Sequence, residues 1–327
     1  MASAIAANAA FPRTTARLGS AGSAWLFRLS LGAVLCTYLV IVAGVTVRVT
    51  GSGLGCPDWP TCHGRLLPPP ETTAVIEFTH RASASLASAF ILAVAAGAAF
   101  WTRERRVLIP ALAIPVLLAL QIVLGAFVVW LELPPLAVFI HLSFAMLILG
   151  GLVWIAANTA PGTWAGLRLG ARRLVPLLTV TTSTVFLLVL TGAFTYASRA
   201  SWACAGFPGC DVPEQALQAL AGDGAGRLVT IHLLHRSVAY LTSLLVLGSV
   251  LYAWRQGGPI CIAGAALLGA VAVQVTIGAL AVSTGLPTFL RGAHVAGAAA
   301  VWGCAVLLLA LAARPVTTAP AVQRVAS

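Results

Sequence analysis

Eight apolar stretches, each long enough to cross a hydrocarbon core of about 30 Å as a helix, divide this chain. A window of about 19 residues places them at Leu26–Val47, Phe78–Trp101, Val107–Trp130, Leu136–Ala157, Leu174–Ala197, Leu228–Trp254, Ile260–Val282 and Phe289–Ala312. An ordinary soluble domain carries roughly 25% charged residues. Here 8% of 327 residues are charged and 60% are hydrophobic, so the solvent for most of the sequence is lipid. A backbone in lipid has no water to bond, which leaves helices as the spanning form for runs of this length. The expectation is an all-α integral membrane protein of eight transmembrane helices.

The net charge of +11 does not point to nucleic acid, because the cations are arginines dispersed at helix ends and the chain has no lysine. If the spans alternate, Arg13, Arg17, Arg103, Arg105, Arg106, Arg168, Arg172, Arg173, Arg255, Arg314 and Arg324 fall on one side. By the positive-inside rule that side is cytoplasmic and holds both termini. The opposite side has Arg48, Arg65, Arg199 and Arg227, with Arg291 at a helix edge, and most of the acids. The first 24 residues lack the apolar core of roughly 7–15 residues that marks a secretory signal, although their Arg, Ser and Ala bias is shared with transit peptides. A bacterial inner membrane is expected, with the mitochondrial inner membrane as the alternative.

An internal repeat organises the spans. QIVLGAFVVWLELPPLAVFIHLSFA from Gln121 matches QVTIGALAVSTGLPTFLRGAHVAGA from Gln274, with Gly four residues on (Gly125, Gly278) and His twenty residues on (His141, His294). Gly44 precedes Cys56 by twelve residues and Gly192 precedes Cys204 by twelve, and second cysteines follow at Cys62 and Cys210. EFTHR (Glu77–Arg81) matches HLLHR (His232–Arg236), pairing His80 with His235. Each half holds an even number of helices, so the repeat is parallel about an axis along the membrane normal. The expected architecture is two pseudo-twofold-related four-helix bundles. It divides into a tail 1–24, a first half 25–160, a linker 161–173, a second half 174–313 and a tail 314–327.

Four of the six histidines thus occupy repeat-related places towards the outer ends of even-numbered helices, within roughly 5–10 Å of those ends along the axis. A lone intramembrane histidine is explained as well by an interhelical hydrogen bond as by ligation. Two pairs at nearly the same spacing are not. Two facing imidazoles, with no carboxylate or thiolate to complete a tetrahedral set, suit the axial positions of a haem iron better than zinc or copper. Arg81, Arg236 and Arg291 stand next to these ligands, either as partners for haem propionates or as anchors of helix ends at the interface.

The repeat breaks where Glu77, one turn before His80, is matched by His232. The break points to proton-coupled chemistry at the first site, against the plainer reading of Glu77 as an interfacial acid. His232 is either a partner to a ligand or an alternative ligand. The outward pairs in CPDWPTC and CAGFPGC, Cys56 with Cys62 and Cys204 with Cys210, have a spacing and a compartment that permit disulfides; metal binding, with only His63 nearby, is the alternative. Cys36, Cys261 and Cys304 read as packing residues. Interhelical hydrogen bonding suffices to explain Gln121 and Gln274.

VRVTGSGLGCPDWPTCHG, EFTHR, HLSFA, HLLHR and RGAHVAG together resemble the haem A synthases over nearly the whole chain outside the tails. The resemblance implies oxidation of the C8 methyl group of haem O to a formyl group by successive hydroxylations, in haem A biosynthesis for terminal oxidases. It implies haem B as cofactor on His235 and His294, substrate haem on His80 and His141, and proton transfer by Glu77. It further implies a place for Cys56 and Cys62 near the substrate site, with a part in passing electrons. Haem O synthase and an electron donor are the partners it suggests. The rival is a dihaem electron-transfer cytochrome. A transporter is a third reading, weakened by the lack of ionisable groups at the span centres.

Overall fold

The computed structural model describes residues 20–161, 172–212 and 223–314. Eight long helices run in chain order: α1 (Ser20–Val49), α2 (Thr72–Trp101), α3 (Arg105–Trp130), α4 (Pro135–Thr159), α5 (Val175–Ala197), α6 (Asp223–Trp254), α7 (Gly258–Ser283) and α8 (Thr288–Ala312). All eight contain a stretch long and apolar enough to cross a membrane. Among the described residues there is no β-strand, only an isolated bridge between Cys62 and Arg65. Most of both tails and of the linker, with Arg13, Arg17, Arg168 and Arg324, lies outside the described residues.

The helices have little amphipathic character, as expected where one face meets lipid and the other meets protein. Leu31, Leu35 and Leu39 of α1 recur one turn apart and are about half exposed (47%, 59% and 51%). The opposite side of α1 buries Leu26, Ala33 and Ile41. Three helices begin five or six residues earlier than the apolar windows indicate, α1 at Ser20 rather than Leu26, α2 at Thr72 rather than Phe78 and α6 at Asp223 rather than Leu228. Their extra turns mix polar residues and glycines with apolar ones, which lowers the window average, so hydropathy does not register them. This corrects the depth of two histidines. His80 is eight residues into α2 and His235 twelve into α6, about 12 and 18 Å along the axis. His141 and His294 are each six residues into their helices, about 9 Å and within the expected range.

In the first half α1 packs on α2 and α4, and α3 on α2 and α4; in the second, α5 packs on α6 and α8, and α7 on α6 and α8. Contacts between the halves come from α1, α4, α5 and α8. One core of buried residues spans this junction and the second half, including Met146, Leu149, Val185, Leu267 and Trp302; another, with Leu26, Ile91, Ile114 and Leu152, fills the first half. Side chains tie helix ends together: Ser23 Oγ donates to the Thr159 carbonyl (3.1 Å), Trp154 Nε1 to Arg106 (3.0 Å) and Arg314 Nη2 to Ala160 (3.1 Å). The starts of α1 and α3 therefore meet the ends of α4 and α8, as alternating spans require.

Candidate haem site between the helices

A cavity of about 1120 Å³ runs between the helices and is lined by His80, His141, His235 and His294, with residues of both halves around them. It exceeds the roughly 300–1,000 Å³ of a pocket for one drug-sized ligand. Each histidine is placed in the same way. The ring packs against a glycine of the preceding helix: His80 on Gly44, His141 on Gly125, His235 on Gly192 and His294 on Gly278. A Cβ on these glycines would come within 2.9, 3.3, 2.9 and 2.8 Å of the respective ring Cε1 atoms. These are the glycines that mark the repeat in the sequence. Their physical reason, room for an imidazole, could be recognised only with the helices packed.

Glu77 is buried, 5% exposed, and lines the same cavity. Its Oε1 accepts a 3.0 Å hydrogen bond from Arg81 Nε, the only ion pair within 4 Å among the described residues. Arg81 Nη1 also donates to the carbonyls of Asp58 (2.7 Å) and Thr61 (2.8 Å), and Nη2 to that of Cys56 (2.8 Å). Arg81 thus fastens the first outer loop to α2 and to Glu77, leaving one N–H for any propionate. The second half repeats the device with less reach. Arg236 Nη1 donates to the Pro208 carbonyl (3.4 Å) and the Gly209 carbonyl, while Nη2 is buried without a partner.

Cys56–Cys62 and Cys204–Cys210 are bonded as disulfides. In the first loop Asp58 accepts from the Thr61 hydroxyl and from the amides of His63 (2.5 Å) and Gly64 (2.8 Å). Chiefly through the Thr61 hydrogen bond, then those from the two amides, its carboxyl is lowered to about 2. His63 is exposed, and its Nε2 donates to the Gly55 carbonyl (3.0 Å). Cys36, Cys261 and Cys304 are unbonded and partly buried.

His232, in the place of Glu77, is buried with Nδ1 3.0 Å from the Ala200 carbonyl. A carbonyl only accepts, so Nδ1 carries the proton. Arg291 donates to Tyr196 Oη (3.3 Å) and Thr288 Oγ1 (3.1 Å), and its Nε is buried and unpartnered. Two residues that sequence reasoning left unassigned meet nearby: the Arg48 guanidinium lies 4.1 Å from the centre of the Tyr196 ring. Gln274 Nε2 donates to the His294 carbonyl across α7 and α8 (2.8 Å), and the amide oxygens of both Gln274 and Gln121 are buried without a partner. The cavity therefore combines four imidazoles, orphaned buried donors on Arg236 and Arg291, and a single carboxylate beside one histidine pair. This donor set fits haems, whose iron takes two imidazoles and whose propionates take guanidinium donors.

Comparison with known proteins identifies the family of the chain. Residues 27–75 and 70–306 match the COX15-CtaA family model, described as cytochrome oxidase assembly protein. The chain is 32% identical over 200 residues to the heme A synthase of Bacillus pumilus, an alignment covering 56% of this chain and 64% of that one. It is 27% identical over 317 residues to the heme A synthase of Shewanella oneidensis, covering 84% and 92%. A stretch of 76 residues, 23% of this chain, is 46% identical to 12% of a protoheme IX farnesyltransferase of Thermus thermophilus. With a family match that runs through all eight helices and takes in all four histidines, the chain belongs to the COX15-CtaA family, that of the haem A synthases.

Proposed function

We propose that this multi-pass membrane protein is a haem A synthase that oxidises the C8 methyl group of haem O to a formyl group by successive hydroxylations, with haem B as its resident cofactor. The observation that carries the reading is an asymmetry between two matching histidine pairs, a buried carboxylate, Glu77, on the wall shared with His80. In this reading His80 and His141 hold the substrate haem, and His235 and His294 hold haem B. The bound haem B supplies one-electron redox chemistry. Glu77 accepts and returns protons, since a positioned carboxylate is a general acid–base. Arg81 orients it and binds the first disulfide loop to the same helix. Arg236 and Arg291, with unpartnered buried donors, would hold the propionates.

The same reading keeps the two halves, 25–160 and 174–313, as pseudo-twofold-related bundles; the matching sets of helix contacts support it. It places the protein in a bacterial inner membrane with both termini cytoplasmic, on the arginine distribution. Haem O synthase is the partner that would supply the substrate.

The deciding experiment expresses the chain with a source of haem O and separates the extracted haems by chromatography. Haem A should form in cells carrying the wild-type chain and not in cells carrying the empty vector. Haem recovered only in unaltered form would favour a dihaem electron-transfer cytochrome.

A further inference from the structure

The two histidine pairs differ in what stands behind them. Thr191 of α5, next to the glycine on which His235 packs, donates its hydroxyl proton to the Leu188 carbonyl (3.0 Å), and its oxygen lies 3.1 Å from His235 Nδ1. A hydroxyl has a single proton. With that proton on Leu188, the oxygen meets Nδ1 as an acceptor, so Nδ1 carries the hydrogen and Nε2 keeps its lone pair. A histidine in this tautomer, held by its other nitrogen, is a pre-oriented and more basic metal ligand.

The first half has no such group. The Gly44 and Gly192 register puts Ala43 where Thr191 stands, and Val40 where Leu188 stands. The Val40 carbonyl acts as an acceptor near the His80 ring, but no hydroxyl stands behind it and His80 Nδ1 is buried without a hydrogen-bond partner. The second ligands do not repeat this device: Gln274 Nε2, a donor only, donates to the His294 carbonyl and lies 3.2 Å from His294 Nδ1 and 3.4 Å from Nε2, so it offers neither nitrogen an acceptor. His141 Nδ1 is buried and unpartnered, although Gln121 occupies the corresponding position.

We propose that Thr191 is a positioning residue that makes the second-half pair a permanent haem site, and that Ala43, in its place, leaves the first-half pair free to exchange its haem. The proposal rests on the functional reading above and adds the reason that one site keeps its haem while the other turns over. An enzyme whose product is itself a haem must release one and retain the other. Partners behind a ligand are typically worth about 10- to 100-fold in metal affinity, and a single hydroxyl at position 191 or 43 is enough to supply or withhold such a partner.

The test uses the full chain purified in detergent, with Thr191→Val as the isosteric loss, Thr191→Ser as the conservative rescue and Ala43→Thr as the reciprocal gain. Haem loss to excess apomyoglobin and the midpoint potential of the retained haem are measured, with the melting temperature of each variant as a fold control. Thr191→Val should lose haem on the order of ten-fold faster. Its potential should rise, because the ferric iron loses a more basic ligand. Thr191→Ser should restore both properties, and Ala43→Thr should slow release from the first half by a similar factor. Thr191→Val with wild-type loss rate and potential overturns the proposal alone. If Thr191→Val fails to fold, an Ala43→Thr variant that releases first-half haem at the wild-type rate overturns it. A wild-type chain that retains no haem overturns the functional reading as well.

Discussion

Glu77 and His232 take the same place in two halves of one repeat, and the difference between them is a carboxylate at one site and an imidazole at the other. Glu77 lies against the Arg81 guanidinium, and His232 is held by the Ala200 carbonyl. Glu77→Gln keeps the size of the side chain and an oxygen for Arg81 Nε, but cannot carry a proton. It should lower haem A formation by about 10²–10⁴-fold, with haem O accumulating, while the second-half haem spectrum stays unchanged. Glu77→Asp, one methylene shorter, should keep part of the activity. Chromatography of haems extracted from variants at equal expression decides the matter; wild-type haem A yield from the Gln variant would remove Glu77 from the reaction. At this scale the sequence was informative where chemistry repeats or fails to repeat, which is how the four histidines and Glu77 stand out. It was silent where a side chain meets backbone. Arg81 is visible as the i+4 neighbour of Glu77, but the carbonyls of Cys56, Asp58 and Thr61 that take its other donors belong to a loop some twenty residues away.

The helices follow from hydropathy because a lipid-spanning backbone has no other way to satisfy its hydrogen bonds. The first turns of α2 and α6, from Thr72 and Asp223, mix polar with apolar residues and escaped that argument. The loops between them depend on local polar chemistry instead. In the first loop Asp58 gathers Thr61, His63 and Gly64, and the left-handed backbone at His63 and Gly64 (φ 54° and 71°) turns both amides inward. With its folded pKa lowered to about 2 from an ordinary 3.8, Asp58 stabilises the folded loop fully at pH values above the ordinary one. That contribution falls away as the pH drops from about 4 towards about 2. Hydrogen exchange of the 58–65 segment, corrected for intrinsic rates, should show wild-type protection declining over that range. Asp58→Asn should be less protected at pH 6 and nearly independent of pH. Equal protection of the two proteins at pH 6 would show that Asp58 does not hold the loop.

The two halves meet through elements that correspond in the repeat. α4 packs on its counterpart α8, and Arg48 stacks on Tyr196, the residue at its own position in the second half. Contacts between counterparts are what a pseudo-twofold axis between the bundles would produce. The repeat showed which residues correspond but not which faces touch, since every face of such a helix is apolar and burial gives little drive in lipid. Close packing selects the interface instead, and Trp302 of α8 is its centre. Its Nε1 donates to the Met146 carbonyl of α4 (2.6 Å), its ring lies 5.0 Å from that of Phe186 on α5, and it covers Gly150, where a Cβ would come 2.7 Å from Cζ2. Trp302→Phe removes the hydrogen bond and part of the ring, and should cost about 1 kcal/mol for the bond together with the lost packing. Gly150→Ala leaves the indole in place and drives a methyl group into it, at about 1–3 kcal/mol. If the two side chains share one contact, the smaller ring of Trp302→Phe makes room for the added methyl, and the double variant should be less destabilised than the sum of the singles. Melting temperatures of the four proteins in one detergent measure this directly. Strict additivity would show that the junction is not centred on Trp302, and that the halves are held together elsewhere along α1, α4, α5 and α8.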